Sequence, residues 1–95
     1  MRILSGSAGR RQIRVPGSVA RPSTDRLREA LFSILADRVQ GADVMDLFAG
    51  SGALGLECLS RGASSCVFVD SSKESQQVIA RNLKDLQLAG GKVNA

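Results

Sequence analysis

The sequence predicts an α/β fold with parallel strands, and two observations support this class. An apolar run at 44–48 is followed at once by the glycine-rich turn 49–52 and then by an apolar-periodic stretch from about residue 53. A second apolar run, 65–70, ends in Asp70 and is followed by another helical pattern. Strand, tight turn and helix in succession, repeated once, are typical of a βαβα unit.

The first residues predict a small hairpin. Two β-prone runs flank the Gly-Ser-Ala-Gly segment at 6–9, and residues 12–15 alternate polar and apolar, which places the arginines on the solvent face. Pro16 and Gly17 end the hairpin and begin a loop that runs to Pro22. We therefore expect a basic hairpin and loop over residues 1–22 and an incomplete α/β domain over residues 23–95.

A helix is predicted next, with Ser23 or Thr24 as its N-cap and Asp25 in its first turn. Its apolar residues recur at helical spacing and predict the buried face; they are Leu27, Ala30, Leu31, Ile34 and Leu35. Arg26 and Arg28 lie off this stripe, so we expect them to face solvent or a ligand.

Two further helices and two strands follow the glycine turn. A short helix at 54–61 is stopped by Gly62, and the strand at 65–70 is apolar enough to be covered on both faces. Ser71 or Ser72 caps a helix that runs toward Gly90, and residues 92–95 resemble the start of a third strand. The inward residues expected on this last helix are Val78, Ile79, Leu83 and Leu86.

Composition narrows the possible classes. Ninety-five residues allow one small domain, and no apolar run approaches the length of a membrane span or of a secretory signal. Cys58 and Cys66 have neither metal-ligand spacing nor a histidine beside them, so we expect no metal and two small buried thiols. Reduced cysteines fit a cytoplasmic protein.

Positive charge is concentrated at one end of the chain. Residues 1–28 hold seven arginines and one aspartate, a net charge of +6, whereas the remainder holds six basic and eight acidic residues, a net charge of −2. Arginine binds phosphate in a bidentate fork, so this asymmetry predicts contact with nucleic acid. The alternative is a solvated basic surface without a partner.

The glycine turn predicts a nucleotide-like ligand. Gly50, Gly52 and Gly55 form G-x-G-x-x-G, and Asp70 lies 20 residues beyond Gly50, which is the spacing of a dinucleotide fingerprint. The alternative is that the glycines only help helix and strand to pack. Asp46, inside the strand, favours S-adenosylmethionine over NAD, because that cofactor carries an ammonium and a sulfonium that a buried carboxylate can meet. Asp46 could also cap the turn by accepting its N–H groups.

Three stretches together resemble the bacterial 16S ribosomal RNA guanine-N2 methyltransferases. They are the arginine-proline helix signature at 21–35, the segment Asp-Leu-Phe-Ala-Gly-Ser-Gly-Ala-Leu-Gly-Leu-Glu at 46–57, and Leu-Ser-Arg-Gly-Ala at 59–63. The basic opening of the chain also resembles that family's N-terminal hairpin. The resemblance covers the amino-terminal portion of such an enzyme and implies a Rossmann-like methyltransferase sheet, of which this chain holds the first βαβα half.

The resemblance also implies roles for individual residues. The methionine and sulfonium end of S-adenosylmethionine would be lined by Asp46, Phe48, Ala49, Gly50, Ser51 and Gly52, with Thr24 nearby. Asp70 would bind the ribose hydroxyls and Ser71 would lie beside the adenine. RNA phosphates would be contacted by Arg2, Arg10, Arg11 and Arg14. The implied partner is 16S ribosomal RNA or a small-subunit assembly particle.

One part of the family pattern is missing. The catalytic loop of these enzymes reads Asp/Asn-Pro-Pro-Phe/Tyr, whereas the only prolines here are Pro16 and Pro22, so no catalytic residue is assigned. An open sheet edge also predicts weak stability or self-association. Two alternatives stay open: an NAD(P)-binding oxidoreductase fragment, and a non-enzymatic RNA-binding module built on the hairpin.

Overall fold

The computed structural model describes residues 1–17, 24–47 and 49–95. Its helices are α1 (Asp25–Leu35), α2 (Ala53–Ser60) and α3 (Lys73–Asp85), and its strands are β1 (Asp43–Leu47), β2 (Ser65–Val69) and β3 (Gly91–Asn94). A short 3-10 turn, Ala36–Arg38, follows α1. This order confirms the predicted α/β class and the third strand, although α3 ends five residues before Gly90. The predicted boundary between residues 22 and 23 lies outside the described residues.

The three strands form one parallel sheet in the order β1-β2-β3. Asp46 pairs in register with Phe68, and Leu47 with Val69. The strands therefore end at a common carboxyl edge, where the glycine turn follows β1 and Asp70 follows β2. This edge is the usual ligand-binding position of an open α/β sheet.

One face of the sheet is covered, and we call it the covered face. α2 packs on it so closely that a Cβ on Gly55 would lie 2.3 Å from the Phe68 ring and 2.7 Å from the Cys66 sulfur. Leu83 of α3 occupies the same face against Gly91, which pairs with Cys66. Glycine at residue 55 is thus required for helix–strand contact, as in the packing alternative considered for this motif.

The opposite face, which we call the bare face, has no helix on it in the described part of the chain. Met45 is 65% exposed and Leu47 is 58% exposed, although both are apolar strand residues. The expectation that β2 is covered on both faces is therefore wrong for this chain, because both crossover helices lie on the same side. The outer edge of β1 also pairs with no other strand among the described residues.

The cysteines lie on the covered face as small buried residues, as predicted. Burial, with a smaller contribution from the charge of Asp46, raises the pKa of Cys58 to about 11 and that of Cys66 to about 12. Both thiols are therefore protonated at neutral pH, and their role is packing rather than redox or nucleophilic chemistry.

α1 begins as predicted, with the Thr24 hydroxyl accepting the Leu27 N–H at 3.1 Å, but its buried face was predicted wrongly. Ile34 is 76% exposed, whereas Arg28 is 1% exposed. The Arg28 guanidinium donates to the Arg2 carbonyl at 2.9 Å and to the Asp25 carboxylate at 2.7 Å. These charge-assisted bonds turn the helix so that Leu27 and Ile34 face outward, whereas Leu35 of the predicted stripe still packs against the core.

The predicted hairpin is confirmed, reduced to one antiparallel bridge between Arg2 and Gln12. The Ile3 N–H donates to the Arg11 carbonyl at 2.9 Å, and the Ile13 N–H to the Met1 carbonyl at 3.0 Å. We call residues 1–17 the N-terminal arm. Its apolar side chains, Ile3, Ala8 and Ile13, are buried in the core.

Polar side chains of α2 hold the N-terminal arm in place. The fully buried Glu57 carboxylate accepts the Leu4 N–H at 2.8 Å and the Ser5 N–H at 3.1 Å, and it pairs with Arg61 at 2.9 Å. The Ser60 hydroxyl accepts the N–H of Ala8 at 2.9 Å. A buried carboxylate with three donors is fully compensated, so the arm is part of the domain core.

Candidate cofactor site at the carboxyl edge of the sheet

The glycine turn is built by two left-handed residues and one ion-dipole contact. Gly50 has φ 59° and Gly52, the N-cap of α2, has φ 83°. The Gly50 N–H donates to the Asp70 carboxylate at 2.9 Å, which ties the turn to the end of the neighbouring strand. A side chain at residue 52 would be strained and would contact Ile79, with its Cβ 3.0 Å from Cγ1.

Asp70 bridges two backbone segments at the carboxyl edge. One oxygen accepts from Gly50 and the other accepts the Ser72 N–H at 2.9 Å, at the N-cap of α3. Each carboxylate oxygen has a second lone-pair site, so Asp70 can still accept hydrogen bonds from a ligand. The carboxylate is therefore fixed in position before any ligand binds.

Asp46 lies on the covered-face side of β1 and accepts the Gly55 N–H, in the first turn of α2, at 3.1 Å. Burial raises the pKa of Asp46; the Gly55 hydrogen bond lowers it and the negative charge of Asp70 raises it further. The two carboxylates therefore repel each other. Neither forms an ion pair within the described residues. The sequence interpretation that Asp46 accepts the N–H groups of the glycine turn is not observed at residues 49–52; its one backbone donor among the described contacts is Gly55.

A pocket of about 230 Å³ opens at this edge. Its lining contains the two predicted residues Asp70 and Ser71, together with Leu47, Val69 and Ala95, which sequence reasoning did not single out. Their signal was available, since each is at or just beyond the carboxyl end of a strand. A volume below the usual 300–1,000 Å³ of a small-molecule pocket is consistent with one wall of a larger site.

The other predicted site residues are distributed around this edge. Ala49 donates its N–H to the Val69 carbonyl at 3.0 Å, next to the pocket. Ser51 is buried and points away from solvent, with its hydroxyl 3.6 Å from the Met1 sulfur. Thr24 is exposed and caps α1, with no hydrogen bond to the carboxyl edge among the described contacts. Phe48 lies outside the described residues.

The arginines proposed to bind RNA are exposed on the N-terminal arm, but three of them also contact the domain. Arg2 pairs with Asp25 at 3.2 Å, and Arg14 pairs with Asp85 at 3.3 Å. Arg11 donates to the Asp85 carbonyl at 2.9 Å. Arg10 forms no ion pair within the described residues.

The described residues contain no group of three or more His, Cys, Asp or Glu side chains with the geometry to hold a metal ion. No helix within the same residues has the length and apolar character needed to cross a membrane.

Comparison with known proteins identifies the family. The family described as conserved hypothetical protein 95 matches residues 1–95, the whole of this chain. This chain belongs to that family. Escherichia coli ribosomal RNA small subunit methyltransferase D is 42% identical over 94 residues, which is 98% of this chain and 48% of that protein. The Bacillus subtilis protein YlbH is 44% identical over 89 residues, 93% of this chain and 48% of that protein.

Structural comparison agrees with this family assignment. The solved structure of the Escherichia coli protein yhhF superposes with a TM-score of 0.89 at 41% identity, covering 98% of this chain and 50% of that one. The chain therefore spans about half the length of the family relatives it matches, as an amino-terminal portion. The structural match confirms the predicted Rossmann-like methyltransferase fold, and the sequence matches confirm the resemblance to RNA methyltransferases.

Proposed function

We propose that this chain is the cofactor-binding half of an S-adenosylmethionine-dependent methyltransferase that modifies a guanine N2 of 16S ribosomal RNA. Its family relatives include proteins named as methyltransferases of small-subunit ribosomal RNA. Ribosomal RNA as the substrate places the enzyme in the cytoplasm. The finer assignments rest on the chemistry of the carboxyl edge.

The observation that carries this proposal is a pair of carboxylates with no cationic partner among residues 1–17, 24–47 and 49–95. Asp46 and Asp70 repel each other beside a glycine turn, and the pKa of Asp46 is raised mainly by burial. A dinucleotide would bring an anionic pyrophosphate to this position and increase the repulsion. S-adenosylmethionine brings a sulfonium and an ammonium, and these positive charges would offset the negative charge at this edge of the sheet. The oxidoreductase alternative is therefore disfavoured.

Each edge residue then has a distinct task. The fixed carboxylate of Asp70 accepts the ribose hydroxyls on its remaining lone pairs, and the exposed Ser71 lies beside the adenine. Asp46 and the turn 49–52 hold the methionine end, where Phe48 and Thr24 also contribute. The bound cofactor supplies an electrophilic methyl group. This chain contributes binding and orientation, which is the principal form of catalysis expected for such a transfer.

We assign the target-base site to the second half of the fold. The Asp/Asn-Pro-Pro-aromatic loop that the resemblance implies is not present in these 95 residues. The bare face and the free edge of β1, with Met45 and Leu47 exposed, offer the apolar surface on which that half would pack. It would also complete the pocket of about 230 Å³.

The N-terminal arm is proposed as the RNA-contacting surface. Arg2, Arg10, Arg11 and Arg14 lie on an arm that is anchored to α2 by hydrogen bonds to Glu57 and Ser60. Pre-positioned guanidinium groups bind phosphates with less loss of side-chain entropy than a free tail does. The substrate class is 16S ribosomal RNA, free or within a small-subunit assembly particle.

Calorimetric titration with S-adenosylhomocysteine tests the cofactor assignment. We expect saturable binding to the wild-type chain and at least tenfold weaker binding to Asp70→Asn, which loses charge and one of two backbone contacts. The matched control is Asp43→Asn, because Asp43 lies at the opposite end of β1 and should bind as the wild type does. Equal affinity in all three proteins, or tight NADH binding instead, would refute the proposal.

A further inference from the structure

Asn82 of α3 is a buried amide that joins the N-terminal arm to the glycine turn. It is 1% exposed. Its Oδ1 accepts the Arg14 N–H at 2.8 Å, while its Nδ2 donates to the Arg14 carbonyl at 3.0 Å and to the Ser51 carbonyl at 3.3 Å. Both donors and one acceptor of a single side chain are thus divided between the two segments.

A second contact connects the same two segments. The Met1 sulfur lies 3.6 Å from the Ser51 hydroxyl, and the Met1 carbonyl accepts the Ile13 N–H at 3.0 Å. Both paired sides of the N-terminal arm therefore reach Ser51, one through Met1 and the other through Asn82. Arg14 stands at the end of this path and belongs to the surface proposed for RNA.

The three hydrogen bonds of Asn82 differ in length, and the longest is the one to the glycine turn. The two bonds to Arg14 are shorter than the bond to Ser51, which at 3.3 Å lies beyond the usual range for N–H···O bonds. A ligand that orders the turn would shorten this bond and, through the shared amide, reinforce the other two. Coupling between two sites is reciprocal for binding free energies.

We propose that Asn82 is a positioning residue that couples the glycine turn to the N-terminal arm, so that cofactor binding and arm order reinforce each other. This inference rests on the proposed function, because it needs the cofactor at the turn. It goes beyond that function by giving the buried amide a regulatory role: RNA held by the arm increases affinity for cofactor, and cofactor increases affinity for RNA.

The first test uses the wild-type chain and amide hydrogen exchange measured by NMR, with and without saturating S-adenosylhomocysteine. The reporter is the Arg14 amide, which donates to Asn82 Oδ1 and to no other acceptor within the described residues. We expect the ligand to slow its exchange by about fivefold, the lower end of typical coupling between sites. Slower exchange at Gly50 with no change at Arg14 would overturn the proposal.

The second test compares Asn82→Ala with Gln77→Ala. Gln77 is exposed on the same helix, and its side chain forms no hydrogen bond within the described residues. In wild type and Gln77→Ala, the ligand should slow exchange of the Ile13 amide. In Asn82→Ala this response should weaken, because only the contact between Met1 and Ser51 remains, and affinity should fall about fivefold. A purely structural Asn82 would lower stability and leave the response at Ile13 intact, which would contradict the coupling.

The outcomes separate the two proposals. No binding of S-adenosylhomocysteine to the wild-type chain refutes the proposed function and the coupling with it. Binding without a response in the arm refutes the coupling alone. If Asn82→Ala does not fold, the wild-type measurement at Arg14 decides the question, because it needs no substitution.

Discussion

The two faces of the sheet differ in almost every physical respect. On the covered face, Leu56, Phe68 and Ile79 have no solvent exposure, and the buried polar groups Glu57 and Asn82 have hydrogen-bond partners. The bare face, by contrast, leaves its apolar strand residues open to solvent. The helices α2 and α3 and the N-terminal arm pack together on one side and form a single core there. On the other side, Met45 and Leu47 remain exposed.

This difference follows from the strand order β1-β2-β3. Right-handed crossovers that proceed in one direction along a sheet place all their helices on the same face. The covered face is therefore packed by α2 and α3, whereas no described helix lies on the bare face. The glycine turn is nevertheless held by the hydrogen bond between Gly50 and Asp70, with only one face of the sheet covered.

The largest expected effect compares two truncations of similar size. Leu56→Ala removes a fully buried side chain from the covered face and should lower the free energy of unfolding by about 3 kcal/mol. Met45→Ala on the bare face should change it by less than about 0.5 kcal/mol. Urea denaturation followed by circular dichroism measures both, and equal losses would contradict the asymmetry between the faces.

An intermediate effect concerns association through the bare face. The exposed apolar surface and free β1 edge should make the 95-residue chain self-associate. Met45→Glu places a charge on this surface and should weaken association at least tenfold, which sedimentation velocity over a concentration series would show. The control is Lys84→Glu, an exposed position on α3. A wild-type chain that stays monomeric at high concentration would be inconsistent with an open interface.

The smallest effect separates the two aspartates of β1. Because burial raises the pKa of Asp46, its folded form binds a proton more readily than its unfolded form. Its contribution to stability is therefore greatest at low pH and is lost as the pH rises through the raised pKa. Asp46→Asn keeps an acceptor for the Gly55 N–H and should raise the melting temperature by about 2 °C at pH 7.

Asp43→Asn serves as the control for this prediction, because Asp43 is exposed on the bare face. Thermal melts at pH 5 and pH 7 should show a pH-dependent difference for Asp46→Asn and none for Asp43→Asn. A lower melting temperature for Asp46→Asn at both pH values would mean that the ionised carboxylate stabilises the fold. The same substitution should weaken S-adenosylhomocysteine binding. The ionised Asp46 carboxylate would then lower the stability of the fold while contributing to ligand binding.

Patterns local in sequence were enough to predict most of the fold. The glycine spacing, the two apolar runs and Asp70 gave the parallel sheet and its carboxyl edge, since each depends on neighbours a few residues away. The N-caps of α1 and α3 were each narrowed to two neighbouring residues for the same reason, and the structure shows Thr24 and Ser72 in that position. The G-x-G-x-x-G motif correctly brought Asp70 beside Gly50, where the structure records their hydrogen bond.

What sequence reasoning missed depends on contacts between distant residues. Helical periodicity placed Leu27 and Ile34 inside and Arg28 outside, because it assumes that apolar residues find the core of the same chain. The actual orientation of α1 is set by Arg28 binding the Arg2 carbonyl, 26 residues away. Glu57 and Asn82 looked like ordinary polar helix residues, and only their partners in the N-terminal arm, more than 50 residues distant, reveal their importance.

Gly6 allows the backbone of the N-terminal arm to approach α2 more closely than any other residue type would permit. Its φ is +84°, and a Cβ there would lie 1.9 Å from the Ser60 carbonyl oxygen, which also accepts the Ser7 N–H. One added methyl group would therefore lift this segment off α2 while leaving every arginine in the sequence. Such a detached-arm protein, with unchanged charge, would show how far the proposed RNA contact and the proposed cofactor affinity each depend on the arm.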